Sequence, residues 1–154
     1  MGLFTSRMAK LNNNSVDSDE FIGEFNWENW KQITGWSDSD GIAYIPDETI
    51  LEKLKVKLKK QNIRFVFFVA EWCGDSHYAA PMVIKLLKLC DITDNRLKLI
   101  GVSRDKMSPN IAFQNNIDSI PTLIVQYDDY EFGRIDEYPA VSWEYDILKI
   151  VADF

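Results

Sequence analysis

At 154 residues the chain is long enough for one compact domain and too short for two independent cores. Its hydrophobic fraction of 46% and charged fraction of 27% exclude a disordered polymer and a membrane-embedded bundle. A formal charge of -7 argues against sequence-independent nucleic-acid binding, which needs a basic surface to displace counterions.

Residues Met1 to Glu20 are polar and aperiodic and read as a flexible N-terminal arm, 1–20. No apolar h-region or run of about 20 apolar residues is present, so neither a secretory signal nor a membrane contact is expected, and a cytoplasmic location is. Gly2 followed by Ser6 matches the loose N-myristoylation pattern. From Phe21 the texture changes: Phe21, Phe25, Trp27, Trp30, Ile33 and Trp36 recur at spacings that predict one side of a helix. We read 21–46 as an aromatic-rich extension packed on the domain, with a partner-binding surface as the alternative. Ser37-Asp38-Ser39-Asp40-Gly41 reads as a turn, because Trp36 stands where a calcium loop would place its first carboxylate.

The domain proper is expected over 47–154. Pro46-Asp47-Glu48-Thr49 opens a helix with an apolar stripe at Ile50, Leu51, Leu54 and Leu58. Ile63 to Ala70 is a near-continuous β-branched and aromatic run, which predicts a central strand buried on both faces. A helix follows from Ser76 to Leu89, then a core strand from Leu97 to Val102 and a short helix from Pro109 to Asn115. Thr122 to Tyr127 pairs across Asp128-Asp129 with Phe132 to Tyr138, and an amphipathic helix from Ser142 to Val151 closes the chain. This alternation predicts the α/β class, a central mixed β-sheet flanked by helices in three layers.

Chemistry concentrates in Glu71-Trp72-Cys73-Gly74-Asp75-Ser76, between a buried strand and the first turn of a helix. Unpaired amides and the positive end of the helix dipole stabilise a thiolate at such a corner. Gly74 is expected to allow the tight turn and the Ser76 hydroxyl to donate to the thiolate. Trp72 is expected to shield the sulfur and offer a flat apolar contact, and Asp75 to repel negative charge. His77 reads as a solvent-facing first-turn residue, and as a partner of the thiolate if protonated. Arg104 and Asp105 read as an ordinary surface pair. Cys90 falls at the far end of the same helix, roughly 20 to 25 Å from Cys73 at 1.5 Å per residue, and so reads as a small core residue. Two cysteines and one histidine make neither a disulfide scaffold nor a closed metal site, and no cofactor is expected.

Phe68-Val69-Ala70-Glu71-Trp72-Cys73-Gly74 resembles the active-site strand and turn of the thioredoxin superfamily. Pro81 falls where these proteins carry a kinking proline, and Ile120-Pro121-Thr122 looks like their cis-proline loop. The resemblance implies a thioredoxin-like fold, with Cys73 as nucleophile and Trp72, Gly74, Asp75, Ile120 and Pro121 contacting substrate. Two departures stand out: Ser76 occupies the position of the usual second cysteine, and Phe67 that of a buried carboxylate thought to assist proton transfer.

These residues lead to the expectation of a monothiol thiol-disulfide oxidoreductase with weak dithiol reductase activity. Cys73, assisted by Ser76, forms mixed disulfides with protein or glutathione disulfides, and an external thiol resolves them. The alternative is a non-catalytic binding or adaptor module on the same fold. A glutaredoxin-type iron–sulfur site fits less well, because Asp75 replaces the expected aromatic residue.

Overall fold

A computed structural model describes residues 20–154, so the proposed arm and the Gly2 pattern lie outside the described residues apart from Glu20. The sheet is built around β2 (Ile63–Val69), whose β-branched and aromatic residues suit a strand with neighbours on both edges. It pairs in parallel with β3 (Leu97–Gly101) and antiparallel with β4 (Thr122–Tyr127). The hairpin partner β5 (Tyr130–Asp136) forms one edge of the sheet. Alternate residues of β2 feed two cores: Phe65, Phe67 and Val69 join the larger cluster, Val66 and Phe68 the smaller.

The other edge corrects the helix expected over Phe21 to Trp36. That stretch opens as β1 (Gly23–Phe25), antiparallel to β3 with Gly23 opposite Gly101, and only then becomes helix α1 (Trp27–Thr34). Gly101 explains the docking: a Cβ there would lie 2.0 Å from the Phe21 carbonyl oxygen, so only glycine lets the segment approach. The sheet order is therefore β1-β3-β2-β4-β5.

Helix α1 starts at Asn26, whose side chain accepts from the Asn29 amide at 2.8 Å, and stops at Gly35 with φ 80°. Its Trp30 is fully buried and meets Phe25 and Trp36 edge to face at 5.2 and 5.4 Å. Residues Asp38–Gly41, expected as a turn, form a 3-10 helix closed by a capping box between Ser37 and Asp40. Asp38 receives the Trp27 indole N–H at 2.7 Å and the Lys31 ammonium at 2.8 Å, folding this short helix back on α1.

Four helices complete the layers: α2 (Glu48–Lys57), α3 (Gly74–Leu89), α4 (Asn110–Gln114) and α5 (Trp143–Val151). Asp47 caps α2 through the Ile50 amide at 3.0 Å, and Ser142 caps α5 through Tyr145 at 3.1 Å. Each such cap contributes about 1 kcal/mol. Pro81 lies inside α3, and Gly41 packs on it: a Cβ at Gly41 would sit 2.7 Å from the Pro81 carbonyl carbon. The α/β class with a mixed sheet and flanking helices is the architecture observed.

Candidate functional site

After Val69 the chain turns through Ala70, Glu71 and Trp72, and the Cys73 amide returns to the Ala70 carbonyl at 3.1 Å. Cys73 is the N-cap of α3, in extended conformation with φ -106° and ψ 116°, and its carbonyl accepts from His77 N at 3.1 Å to start the helix. Cys73 is part-exposed, and its sulfur donates to the Ile120 carbonyl at 3.5 Å, across a loop whose Ile120-Pro121 peptide is cis. This contact brings together Cys73, Ile120 and Pro121 from distant parts of the chain.

Ser76 is fully buried, and its hydroxyl oxygen accepts from the Ala70 amide at 3.2 Å. Among the described residues no hydrogen bond joins it to Cys73, in contrast to the expected donation; the hydroxyl ties α3 back to the end of β2. Gly74 is not demanded by the turn either. It has no positive φ, and a Cβ there would meet nothing within 4 Å. What its lack of a side chain leaves is open space over the first turn of the helix.

Trp72 donates its indole N–H to the Val102 carbonyl at 3.2 Å, and the Arg104 guanidinium lies 5.2 Å from its ring centroid. Arg104 and Asp105 are thus not a surface pair. Asp105 accepts from Ser103 Oγ at 2.6 Å and the Met107 amide at 3.0 Å, bonds that hold its carboxyl below the usual carboxylate range. The two residues diverge, one onto the motif tryptophan and one into the loop.

His77 is not simply solvent-facing. Its ring stacks on Trp36 at 4.6 Å with an interplanar angle of 4°, and Nε2 lies 3.0 Å from Asp40 Oδ2. The His77 bond, followed by the Ser37 amide, holds the Asp40 carboxyl below its ordinary range. Glu71 accepts from the Phe21 amide at 2.9 Å, so residues on both sides of Cys73 grip the N-terminal segment. Further along, the Tyr44 hydroxyl donates to buried Glu144, which also accepts from the Asp47 amide at 2.8 Å. Burial, then the Glu144 bond, pushes the Tyr44 phenol far above its ordinary value.

Asp75 is exposed and lies on the rim of a cleft of about 420 Å³, lined also by Tyr78, Met82, Glu137, Tyr138 and Trp143. One lining residue is tied to the cis-proline loop: the Glu137 amide donates to the Pro121 carbonyl at 2.6 Å. Sequence reasoning missed Tyr78, Glu137 and Tyr138. The available signal was Tyr78 two residues after Ser76 and the Tyr138-Pro139 pair just past the hairpin.

Phe67, fully buried, meets Trp143 edge to face at 6.5 Å, so an aromatic pair fills the position where the resemblance places a carboxylate. Cys90 is the C-cap of α3, buried, and burial pushes its thiol up to about 11. Among the described residues no group of three or more His, Cys, Asp or Glu side chains could hold a metal. None of the described helices is long and apolar enough to cross a membrane.

A family model described as thioredoxin matches residues 15–149. The chain is 31% identical over 98 residues to a thioredoxin of Acidithiobacillus ferridurans, covering 64% of this chain and 81% of that protein. It is 29% identical over 79 residues to the mitochondrial thioredoxin-2 of Schizosaccharomyces pombe, covering 51% of this chain and only 56% of the relative's length. Among solved structures, oxidised mitochondrial thioredoxin 3 of Saccharomyces cerevisiae superposes with a TM-score of 0.43 at 21% identity, covering 68% of this chain and 90% of that one.

Proposed function

The chain belongs to the thioredoxin family, and from that premise we propose that it is a monothiol thiol-disulfide oxidoreductase with Cys73 as its nucleophile. The observation that carries the reading is a part-exposed cysteine at the N-cap of a 16-residue helix, its sulfur 3.5 Å from the Ile120 carbonyl, with buried Ser76 where a second thiol would have to stand. The sulfur stands at the N-terminal end of that helix, the positive end of its dipole.

The Cys73 thiolate attacks one sulfur of a protein or glutathione disulfide. The substrate S–S bond breaks, a Cys73–S bond forms, and the departing sulfur leaves as a thiolate that takes a proton from water. Ser76 cannot form the next S–S bond. An external thiolate therefore attacks the mixed disulfide and frees Cys73, and a second external thiol completes the two-electron exchange, so that two thiols are oxidised to one disulfide for each disulfide reduced. Trp72, held by Val102 and covered by Arg104, forms one wall beside the sulfur, and the backbone of Ile120 and Pro121 offers polar groups to a bound chain. In this reading Ser76 is a positioning residue: its bond to Ala70 N holds the first turn of α3 in place. Residues 21–46 contribute the edge strand β1 and helix α1 to the sheet and core shared with 47–154.

The test uses oxidised glutathione and intact-mass detection. We expect a glutathione adduct on Cys73, lost in Cys73→Ser, retained in Cys90→Ser, and released by added reduced glutathione. A companion variant, Ser76→Cys, is expected to close a disulfide between its introduced thiol and Cys73 under mild oxidation, and to gain some dithiol reductase activity. That gain stays modest, because absence of a proton-transfer group at Phe67 costs on the order of a hundredfold or more. An adduct spread equally over both native cysteines, or absent from Cys73, would sink the reading.

A further inference from the structure

The cleft beside the nucleophile turn has a composition that selects its occupant. Its charged lining residues are Asp75 and Glu137, both acids, and its aromatic lining residues are Tyr44, Tyr78, Tyr138 and Trp143. Carboxylates on a rim above aromatic walls suit a cation on an apolar stem: the stem packs on the rings, and the charged head meets the acids and the ring faces. Two of its lining residues are tied to the segments that meet at the reacting sulfur. Asp75 is two residues from Cys73, and the Glu137 amide holds the carbonyl of Pro121, next to the Ile120 carbonyl that the sulfur touches.

Glu137 is held on the cleft lining by its backbone. Its φ is 66°, in the left-handed region where glycine is at ease and a glutamate is uncommon. The backbone is fixed there without help from the Glu137 side chain: the amide bonds to Pro121, and Asp146 accepts from the Ala140 and Val141 amides at 2.7 and 3.1 Å to shape the next stretch of wall. Asp91, Lys106, Asn116, Asp128 and Asp129 share this left-handed backbone, so it sets where the Glu137 carboxylate stands on the cleft and does not by itself mark a use.

We propose that this cleft is a specificity pocket for a lysine or arginine side chain close to the target cysteine, so that the chain prefers disulfides in basic peptide segments. The inference rests on Cys73 being the attacking sulfur and names the class of substrate it attacks.

The experiment uses three short peptides, identical except for lysine, alanine or glutamate two residues from a single cysteine, each capped as a disulfide with neutral 2-mercaptoethanol. The second-order rate of Cys73 adduct formation is measured for each, with bis(2-hydroxyethyl) disulfide as a neutral reference. The lysine peptide is expected to react about tenfold faster than the glutamate peptide, with alanine between, as two rim carboxylates in partly screened contact would give. That ratio should fall towards one in the Asp75→Asn, Glu137→Gln double variant and at high salt. Glu137→Gly, which relaxes the backbone while removing the charge, should fold at least as stably and also lose selectivity. Equal rates for the three peptides, or a ratio unchanged in the double variant, overturn the pocket while leaving Cys73 as nucleophile. If the neutral disulfide fails to react at all, the redox reading is what has failed. The pocket is then judged by binding of the same peptides, with serine for cysteine, to the Cys73→Ser chain, followed by tryptophan fluorescence: tighter binding of the lysine peptide supports it, and equal binding overturns it.

Discussion

Helix α3 is bounded by cysteines at both caps, and its two ends are opposite environments for the same side chain. At the N-terminal end Cys73 is part-exposed, faces free amides and touches a backbone carbonyl of another loop. At the C-terminal end Cys90 is 5% exposed and sits in the larger apolar cluster after the last turn, where the helix dipole is negative and burial disfavours an anion. The difference teaches that helix polarity and burial, rather than residue type, set what a thiol can do.

The largest effect expected from that contrast is kinetic. With its thiol pushed up to about 11, Cys90 holds on the order of one ten-thousandth of its sulfur as thiolate at neutral pH, about a hundredfold less than an ordinary free cysteine. Burial slows it further. Iodoacetamide should therefore label Cys73 in the folded chain and spare Cys90, with the Cys90 rate rising tenfold per pH unit until about 11. Peptide mapping of a time course reads both sites at once. Comparable labelling at neutral pH would break the comparison at its root.

A smaller and purely structural effect concerns how the reactive end is braced. Gly41 lies against Pro81 so closely that an added methyl group would fall 2.8 Å from the Pro81 carbonyl oxygen, and backbone cannot swing aside as a flexible side chain can. Gly41→Ala should cost about 1 to 3 kcal/mol of stability, read from urea unfolding midpoints. An unchanged midpoint would mean that the 3-10 helix gives way freely and does not brace α3.

Much of this architecture was legible because the relevant signals are local. The run from Ile63 to Val69, the Asp47 and Ser142 caps, and the hairpin around Asp128-Asp129 follow from burial period and turn chemistry alone. The junction at Cys73 was legible for the same reason, being a strand running into a helix. What escaped was long-range. The aromatic spacing from Phe21 to Trp36 fits a helix, and its conversion into a strand plus a helix depends on an edge of β3 opened by Gly101, some 80 residues away. The Ser76 hydroxyl was expected to serve the sulfur because the two are neighbours in sequence, yet a buried amide at Ala70 also needs an acceptor. Likewise nothing near His77 announces Trp36 and Asp40, and nothing near Asp75 announces Glu137.

The smallest effect sharpens the comparison most locally. Asp40, bonded to His77 in the first turn of α3, has a carboxyl held below its ordinary value of 3.8, so folding favours its ionised form. The contribution is fully present above the unfolded-state value and disappears as pH falls through the lower folded value. Both side chains are substantially exposed, at 48% and 40%, so solvent screens the pair and the effect ranks below that of Gly41→Ala. Asp40→Asn should melt slightly below the parent at neutral pH, and the gap should close in acid once the parent's Asp40 is itself protonated. Amide exchange supplies the spatial half of the test. The variant should open the first turn of α3, after Cys73, while the last turn before Cys90, which is held by the apolar cluster and has no part in the His77 contact, exchanges as in the parent. Equal loosening at both ends would show that α3 responds as one rigid rod, and the distinction between its two cysteines would then rest on burial alone.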